Sequence, residues 1–310
     1  DTETLKIFRH QAKHNKTYKR YIEHLKIDPS SIYKVSDIPF LPVEFFKSHK
    51  ILSTTEKVEQ IFTSSGTTGA VQSQHFVTDL NLYEESFHRG FELFYGNIED
   101  YTILALLPGY LERKGSSLIY MVDHLIKKSG STNSGFYLNE LQALSELVTN
   151  LDAKGEKVLL VGVTYALMDL IQAYNFQLNH TIVMETGGMK GRRKELIRSE
   201  LHKILCDGFG VDTIHSEYGM TELLSQAYSS GGGIFETPPW MKVLIRDTED
   251  PFHLLKEGRT GAVNIIDLAN INSCSFIATQ DLGRKTNEYQ FEILGRFDNA
   301  DIRGCNLMVV

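Results

Sequence analysis

The sequence is short of cysteine, has no long apolar run and carries no excess of basic charge, and each shortage excludes a class of protein. Its 3 cysteines, Cys206, Cys274 and Cys305, are odd in number and widely spaced, which argues against a disulfide framework or a zinc site. No stretch approaches the ~20 consecutive apolar residues of a membrane helix, so membrane insertion is not expected. The 32 basic and 39 acidic residues give a net charge of −7, which offers no general attraction for nucleic acid. These features predict a cytoplasmic protein without a nucleic-acid partner.

The order of apolar segments predicts the fold class. Buried strands are expected at 101–107, 157–163, 180–185 and 211–216, with helices between them. Strands that alternate with helices indicate an α/β fold with a largely parallel sheet. After about residue 235 the pattern changes to short strands separated by turns. We therefore expect an α/β domain that binds nucleotide and acid over residues 1–234 and a small β-rich subdomain over residues 235–310.

A loop rich in glycine and hydroxyl groups follows a predicted strand at 58–63 and is the first candidate site. It consists of Ser64, Ser65, Gly66, Thr67, Thr68 and Gly69. Its glycines allow the backbone to approach an anion closely, and its hydroxyl and N–H groups can surround phosphate oxygens. No Gly-Lys-Ser/Thr string closes it, so it is not a Walker loop, and a kinase or GTPase is poorly supported. A solvated polar surface loop is the alternative.

Two further motifs directly follow predicted strands, at the end of the strand where α/β sheets bind ligands. In the first, Tyr218 and Gly219 precede Thr221 and Glu222. The tyrosine offers a face for stacking a base, the threonine a hydroxyl for a phosphate, and the glutamate a hard oxygen ligand for Mg²⁺. A helix start is the alternative for this string. In the second motif Gly187 and Gly188 leave space beside the backbone for a flat ring, or form a simple tight turn.

The last pair of candidates lies in the β-rich part. Asp281 has two carboxylate oxygens that could accept both hydroxyls of a ribose, and Arg296 could add a donor to the same sugar or to a phosphate. An aspartate in a turn and an arginine in a surface ion pair are the alternatives.

Taken in order, these strings resemble the adenylate-forming superfamily, which includes acyl-CoA synthetases, luciferase and peptide-synthetase adenylation domains. The likeness extends from about residue 40 to the end of the sequence. Within the superfamily the chain is most similar to the acyl-protein synthetases of bacterial bioluminescence, the long-chain fatty acid luciferin-component ligases, and next to the phenylacetate-CoA ligases. The closer likeness is carried by Pro108-Gly109-Tyr110-Leu111-Glu112-Arg113, Gly115-Ser116-Ser117-Leu118 and Asp301-Ile302-Arg303-Gly304-Cys305.

The resemblance implies a large parallel-sheet domain, a small β-rich subdomain, and a mobile C-terminal domain that is absent or truncated. It implies that a carboxylate attacks the α-phosphate of Mg-ATP and that a thiol then takes the acyl group. The loop at 64–69 would hold the β- and γ-phosphates, and Gly187 and Gly188 would lie beside an adenine stacked on Tyr218. Thr221 would contact the α-phosphate and Glu222 would bind Mg²⁺. Asp281 would hold the ribose with help from Arg296, and Tyr110, Leu118 and Tyr120 would line the acyl chain, unless they are plain core.

The acceptor of the acyl group stays open at this point. Cys305 lies where the bioluminescence synthetases carry their acyl-accepting cysteine, but a buried, unreactive thiol is the alternative. Free CoA, as in the phenylacetate-CoA ligases, is a second candidate acceptor, and a separate acyl-donor or acyl-acceptor protein is a third. The lysine that usually closes the phosphate loop is replaced by Gln72. That departure and the absent C-terminal domain leave a nucleotide-binding partner subunit with weak catalysis as a rival.

Overall fold

A computed structural model describes residues 1–64, 71–108, 115–138, 140–187 and 196–296. Its helices are α1 (Thr2–His14), α2 (Lys16–His24), α3 (Phe45–Ser48), α4 (Leu80–Tyr95), α5 (Ser117–Ser129), α6 (Leu141–Ala153), α7 (Thr164–Ala173) and α8 (Arg198–Phe209). None of the helices in these described ranges is long and apolar enough to cross a membrane.

Its strands are β1 (Leu41–Pro42), β2 (Gln60–Thr63), β3 (Gln74–Val77), β4 (Thr102–Leu106), β5 (Gly135–Phe136), β6 (Val158–Val163), β7 (Thr181–Thr186), β8 (His215–Tyr218), β9 (Ala227–Ser229), β10 (Ile234–Glu236), β11 (Met241–Arg246), β12 (Thr260–Asp267), β13 (Phe276–Lys285) and β14 (Gln290–Arg296).

One large sheet organises the chain. Its strand order is β11-β12-β13-β14-β10-β9-β8-β7-β6-β4-β5, with β1 paired to β13. Neighbours from β5 to β8 run parallel, whereas those from β8 through β9, β10 and β14 to β11 run antiparallel. Every residue of β4 and β6 is buried, as expected for parallel strands covered by helices on both faces. The α/β fold class with a β-rich second part is confirmed.

Local sequence signals set the helix limits near the site. Asp79 accepts a hydrogen bond from the Leu82 backbone N–H at 3.2 Å and so caps α4, which stops before Gly96 at φ 80°. Ser116 caps α5 in the same way, and Gly130 ends that helix at φ 65°. A polar N-cap satisfies an otherwise free N–H, and glycine adopts a positive φ at a helix end without the steric cost of a side chain.

Two hydrophobic cores lie against the sheet. The first fills the space between α4–α8 and the parallel strands, and the second lies between the N-terminal helices and the antiparallel strands. In the second core the rings of Phe8 and Tyr18 both contact Phe276, with centroids 6.0 and 6.2 Å away. Strands on both sides of residue 234 pair within the same sheet. The division at residue 234 therefore stays a prediction about subdomains.

The structure corrects the expected setting of the phosphate loop. The strand before it, β2, does not belong to the parallel sheet but pairs antiparallel with β3, Thr63 opposite Gln74, in a separate hairpin. The expected strand at 211–216 also begins later, at His215. The cause is the end of α8, where Gly210 has φ 66° and the Val211 N–H still donates to the Cys206 carbonyl, so Val211 belongs to the helix cap.

Candidate functional site

Tyr218, Asp281 and Arg296 form one hydrogen-bonded group. The Tyr218 hydroxyl donates to Asp281 Oδ2 at 2.7 Å, and Arg296 Nε donates to Asp281 Oδ1 at 3.1 Å. Asp281 and Arg296 lie opposite each other on β13 and β14, which explains their contact. The aspartate side chain is 10% exposed and the arginine 70%. Each carboxylate oxygen can accept a second hydrogen bond, so the group can still take two sugar hydroxyls.

Glu222 lies against the end of the phosphate-loop hairpin. The side chain of Ser73 lies beside its carboxyl group, and the Ser73 N–H donates to Ser64 Oγ at 2.9 Å. The Ser64 N–H in turn donates to the Ser73 carbonyl at 3.1 Å. Burial raises the pKa of Glu222, while the nearby Ser73 side chain and the charge of Arg296 lower it. Two motifs that are far apart in the sequence therefore meet at this carboxyl group.

His75 and Asn270 hold the backbone of the Thr221–Glu222 turn. His75 Nδ1 lies 2.8 Å from the Thr221 carbonyl oxygen and its Nε2 lies 3.0 Å from Asn270 Oδ1, while Asn270 Nδ2 donates to the Glu222 carbonyl at 2.7 Å. Burial lowers the pKa of His75 to about 4, so the ring is neutral at physiological pH. A neutral imidazole has one N–H and donates to one of these two oxygens at a time. Sequence reasoning missed both residues, because an isolated His and Asn carry no motif.

The segment that precedes the glycine pair is fixed by buried polar contacts. Gly187 adopts φ 71°, a conformation that favours glycine, and its carbonyl accepts a hydrogen bond from Thr164 Oγ1 at 2.7 Å. Just before it, the buried Glu185 pairs with Arg198 at 2.5 Å and accepts a bond from Ser216 Oγ at 2.8 Å. The ion pair joins β7 to α8, and the bond from Ser216 adds β8 to the same group.

Glu217 is a second buried carboxyl group that the sequence reasoning did not single out. Thr186 Oγ1 donates to Glu217 Oε2 at 2.6 Å, and the two residues are opposite each other on β7 and β8. Burial raises its pKa to about 7, against the weaker opposing effect of the Thr186 bond. Its position directly before Tyr218 could have indicated it. Successive side chains of a strand point to opposite faces of the sheet, so Glu217 lies on the face opposite to that of Tyr218.

A small cavity of about 20 Å³ lies between α4, α5 and one face of the parallel strands. Its described lining is largely apolar and comprises Phe91, Ile103, Leu118, Met121, Val122, Leu125, Leu159, Val161, Met184, Thr186, Glu217 and Tyr228. Leu118, expected to contact the acyl chain, is among these residues. Tyr120 is not, because its hydroxyl donates to Glu84 at 2.5 Å and its ring stacks on His124.

Several predicted site residues lie outside the described ranges: Ser65, Gly66, Thr67, Thr68, Gly69, Gly188, Cys305 and Tyr110. Of the predicted residues within those ranges, the structure brings Ser64 and Glu222 together through Ser73, and Tyr218, Asp281 and Arg296 into one group. Gly187 directly follows β7, and Tyr218 is the last residue of the neighbouring strand β8. Gly219 and Thr221 come shortly after Tyr218 in the chain. No group of three or more His, Cys, Asp or Glu side chains suited to a metal occurs among the described residues.

The comparisons with known proteins agree with the motifs. Residues 1–84 match the family described as "Acyl-protein synthetase, LuxE". A long-chain-fatty-acid–luciferin-component ligase of Photorhabdus luminescens is 41% identical over 66 residues, which are 21% of this chain and 56% of that protein. The corresponding ligase of Aliivibrio fischeri is 22% identical over 319 residues, covering 94% of this chain and 83% of that protein.

Solved structures share the fold at low sequence identity. ATP-bound MatB from Rhodopseudomonas palustris superimposes with a TM-score of 0.59 at 17% identity, over 78% of this chain and 49% of that one. 2-Hydroxyisobutyryl-CoA ligase in complex with 2-HIB-AMP gives a TM-score of 0.68 at 11% identity, over 96% of this chain and 67% of that one. The chain thus spans about half the length of several relatives that it matches, and its fold is that of adenylate-forming ligases.

Proposed function

We propose that this chain, a relative of the acyl-protein synthetases with the fold of adenylate-forming ligases, activates a carboxylic acid as acyl-AMP and passes the acyl group to a thiol. The observation that carries the proposal is the 2.8 Å contact of His75 Nδ1 with the Thr221 carbonyl oxygen, which joins the acidic motif to the phosphate-loop hairpin and leaves Glu222 beside Ser73. A carboxyl group at the exit of a phosphate-binding loop is where a cation that bridges phosphates needs a ligand.

The residue roles are part of this proposal, and the geometry supports them. The ribose of ATP would bind to Asp281, whose two oxygens are oriented by Tyr218 and Arg296. Adenine would lie between Tyr218 and the glycine pair that begins at Gly187. The triphosphate would then run toward Ser64 and the loop that follows it, past the hydroxyl of Thr221. These placements rest on the shared sheet edge at which β7 and β8 end.

Mg²⁺ fits this site as a partner of Glu222. The ion is usually held by one or two carboxylates together with substrate phosphates and water, so a single buried glutamate is a sufficient protein ligand. Burial raises the pKa of Glu222, and a cation beside it would favour the ionised form. Bound Mg²⁺ would supply neutralisation of phosphate charge.

The chemistry is two displacements. A carboxylate oxygen of the acid forms a bond to the α-phosphorus of ATP, and the bond to pyrophosphate breaks. The thiol sulfur then bonds to the acyl carbon after losing its proton, and AMP leaves. This chain contributes position and electrostatics to the first step, since it holds sugar, phosphates and acid at one edge of the sheet.

The names of the relatives point to a fatty acid and to an acyl-accepting protein, and the apolar lining of the small cavity beside Thr186 and Glu217 agrees with an apolar substrate. Free CoA is the second candidate acceptor, since CoA ligases have this fold. Cys305 is the third. Cys206 and Cys274, the cysteines within the described ranges, are both unpaired, which agrees with a reducing cytoplasm.

An exchange assay tests the proposal. Protein incubated with ATP, Mg²⁺, labelled pyrophosphate and one acid from a panel should return label to ATP only when the acid is present. Product analysis with CoA added, and with the Cys305→Ser variant, then separates the three acceptors. A protein that binds ATP but shows no acid-dependent exchange with fatty, aromatic or small acids would be a nucleotide-binding partner subunit instead.

A further inference from the structure

A second cavity lies against the amino-terminal ends of β7 and β8, at the other end of these strands from the nucleotide motifs. Ile182 on β7 and His215 on β8 line it, whereas Gly187 follows β7 and Tyr218 ends β8. Its volume is about 260 Å³. At ~30 Å³ for each water molecule of the liquid, this is room for roughly nine non-hydrogen atoms. Its described lining is Phe94, Tyr95, Tyr101, Ile182, His215, Tyr228, Ser230, Ile234 and Glu236.

The aromatic residues of this lining pack against one another. The ring of Tyr228 contacts the rings of Phe94 and Tyr95, with centroids 5.4 Å away in each case. The Tyr95 hydroxyl lies 3.3 Å from His215 Nδ1, and the Tyr101 hydroxyl donates to the Tyr95 carbonyl at 2.9 Å. These contacts hold the rings in position without a ligand. A lining that is already ordered loses little conformational entropy when a ligand binds.

Tyr228 contributes a polar group that lacks a partner within the described part of the chain. The residue is buried, and its hydroxyl has no hydrogen bond there. A buried hydroxyl in this state is unfavourable, and a bound water, ion or ligand commonly completes such a group. Tyr228 also lines the small cavity, whose exposed surface is apolar, so the second cavity is the one that suits a polar ligand.

The charge around the second cavity favours a cation. Glu236 is exposed and supplies a carboxylate, and its bond from Gln290 Nε2 at 2.6 Å comes from a neutral group that leaves the charge in place. Burial lowers the pKa of His215, so this ring is neutral at physiological pH. Lys157 lies 5.7 Å from the centroid of one ring of the lining, but it is paired with Asp100 at 3.3 Å.

We infer that the second cavity is a binding site for a small organic ammonium ion, a protonated amine that carries an apolar body of about the size of a phenyl ring. Aromatic rings attract a cation that lies over their faces, and the carboxylate of Glu236 adds to this attraction. An ammonium N–H can donate to the hydroxyl of Tyr228, and the apolar body displaces water from the rings. The inference does not depend on the proposed function, because the site uses none of the nucleotide motifs.

Isothermal titration calorimetry with 2-phenylethylamine and with 2-phenylethanol tests the site. The two probes have the same apolar body, and the amine alone is charged at neutral pH. The native protein should bind the amine about tenfold more tightly than the alcohol. Glu236→Gln should weaken binding of the amine about fivefold and leave the alcohol unchanged. Glu200→Gln, which removes an exposed carboxylate on α8, is the matched control and should bind both probes as the native protein does.

Ser230→Trp locates the probes. Ser230 is exposed and lines the cavity, so an indole ring there should fill the space and abolish binding of both molecules. Unchanged binding by Ser230→Trp would place the probes elsewhere and overturn the site. Equal or tighter binding of the alcohol by the native protein, an unchanged affinity for the amine in Glu236→Gln, or no binding of the amine at millimolar concentration would overturn it as well. Pyrophosphate exchange does not enter this test, so its result stands apart from that of the proposed function.

Discussion

The side chain of Ser73 lies close enough to the carboxyl group of Glu222 to lower its pKa, although Ser73 precedes β3 of the hairpin and Glu222 follows β8 of the main sheet. The hairpin of β2 and β3, which carries the phosphate loop, is not part of the main sheet. Side-chain contacts with the turn after β8 therefore hold it in position. Ser73 also donates its N–H to Ser64 Oγ, which closes the loop at its base. Any change of charge at Glu222 is thus expected to act on the base of this loop as well as on the cation that we propose beside it.

Glu222→Gln should lower acid-dependent pyrophosphate exchange about a hundredfold. The amide keeps the size and polarity of the side chain, but it has lost the charge that a magnesium ligand needs. Exchange rates over a range of Mg²⁺ concentrations measure the effect, which higher Mg²⁺ should partly relieve. Glu200→Gln, an exposed change on α8, is the matched control. Native exchange by Glu222→Gln at every Mg²⁺ concentration would remove the assigned metal role.

Asp281→Asn should raise KM for ATP about tenfold with a smaller effect on KM for the acid. The substitution weakens the bonds to Tyr218 and Arg296 that orient the side chain, and hydrogen bonds to a charged group contribute ~1.5–3 kcal/mol. Steady-state kinetics with ATP and acid varied separately measure the split, with the exposed Asp212→Asn as control. An equal rise in both KM values would assign Asp281 a structural role.

Asn270→Ala should destabilise the protein by ~2 kcal/mol and lower kcat. It removes the donor to the Glu222 carbonyl and a partner of His75, and each buried group left unpaired costs ~1–3 kcal/mol. Urea unfolding gives the free energy of unfolding, and exchange kinetics on the folded variant give kcat. Asn133→Ala, at an exposed turn, should change neither quantity. Loss of stability with native kcat would mean that the Thr221–Glu222 turn keeps its position without the hydrogen bonds of Asn270.

The pKa of Glu217 makes stability fall as pH rises from about 4.5 to about 7. Within this window the folded protein holds a proton that the unfolded chain has released, since burial raises the folded pKa to about 7 from 4.5. The loss amounts to ~3 kcal/mol and is complete above the folded pKa. Glu217→Gln should flatten this part of the curve, as measured by urea unfolding across pH. A curve for the variant that parallels the native one would contradict the assignment.

His75 acts in the opposite direction. Burial lowers its folded pKa to about 4 from 6.5, so the unfolded chain binds the proton first on acidification and stability is lost as pH falls through this window. His75→Gln should therefore lose less stability than the native protein between pH 6.5 and pH 4. The same pH series of urea unfolding curves measures both residues, and an unchanged slope in His75→Gln would show that the ring does not titrate in this range.

Gly90→Ala should stabilise the protein by ~0.5–1 kcal/mol, because alanine loses less backbone entropy than glycine inside a helix and the new methyl group meets ordinary contact distances. Thermal unfolding measures the change, and a lower midpoint for Gly90→Ala than for the native protein would contradict it.

The sequence predicts the parallel half of the fold because its strands are continuous apolar runs, as at Val158–Val163, and a run of that kind between helical segments has few other interpretations. The hairpin was not predictable in this way. Gln74–Val77 is short and mixed in polarity, and its pairing with β2 depends on contacts with residues distant in sequence, such as that of His75 with Thr221. The nucleotide motifs are local strings and can be read directly. The residues that support them, Ser73, Asn270 and Glu217, become visible only when the chain is folded.

Successive side chains of β8 point to opposite faces of the sheet. Ser216 contacts Glu185 and Tyr218 contacts Asp281, while His215 and Glu217 face the two cavities. Insertion or deletion of a single residue within this strand would exchange the two sets, sending Tyr218 toward the cavities and Glu217 toward Asp281. A change in the length of β8 would therefore disturb both faces of the sheet at once, whereas a substitution in it changes one face.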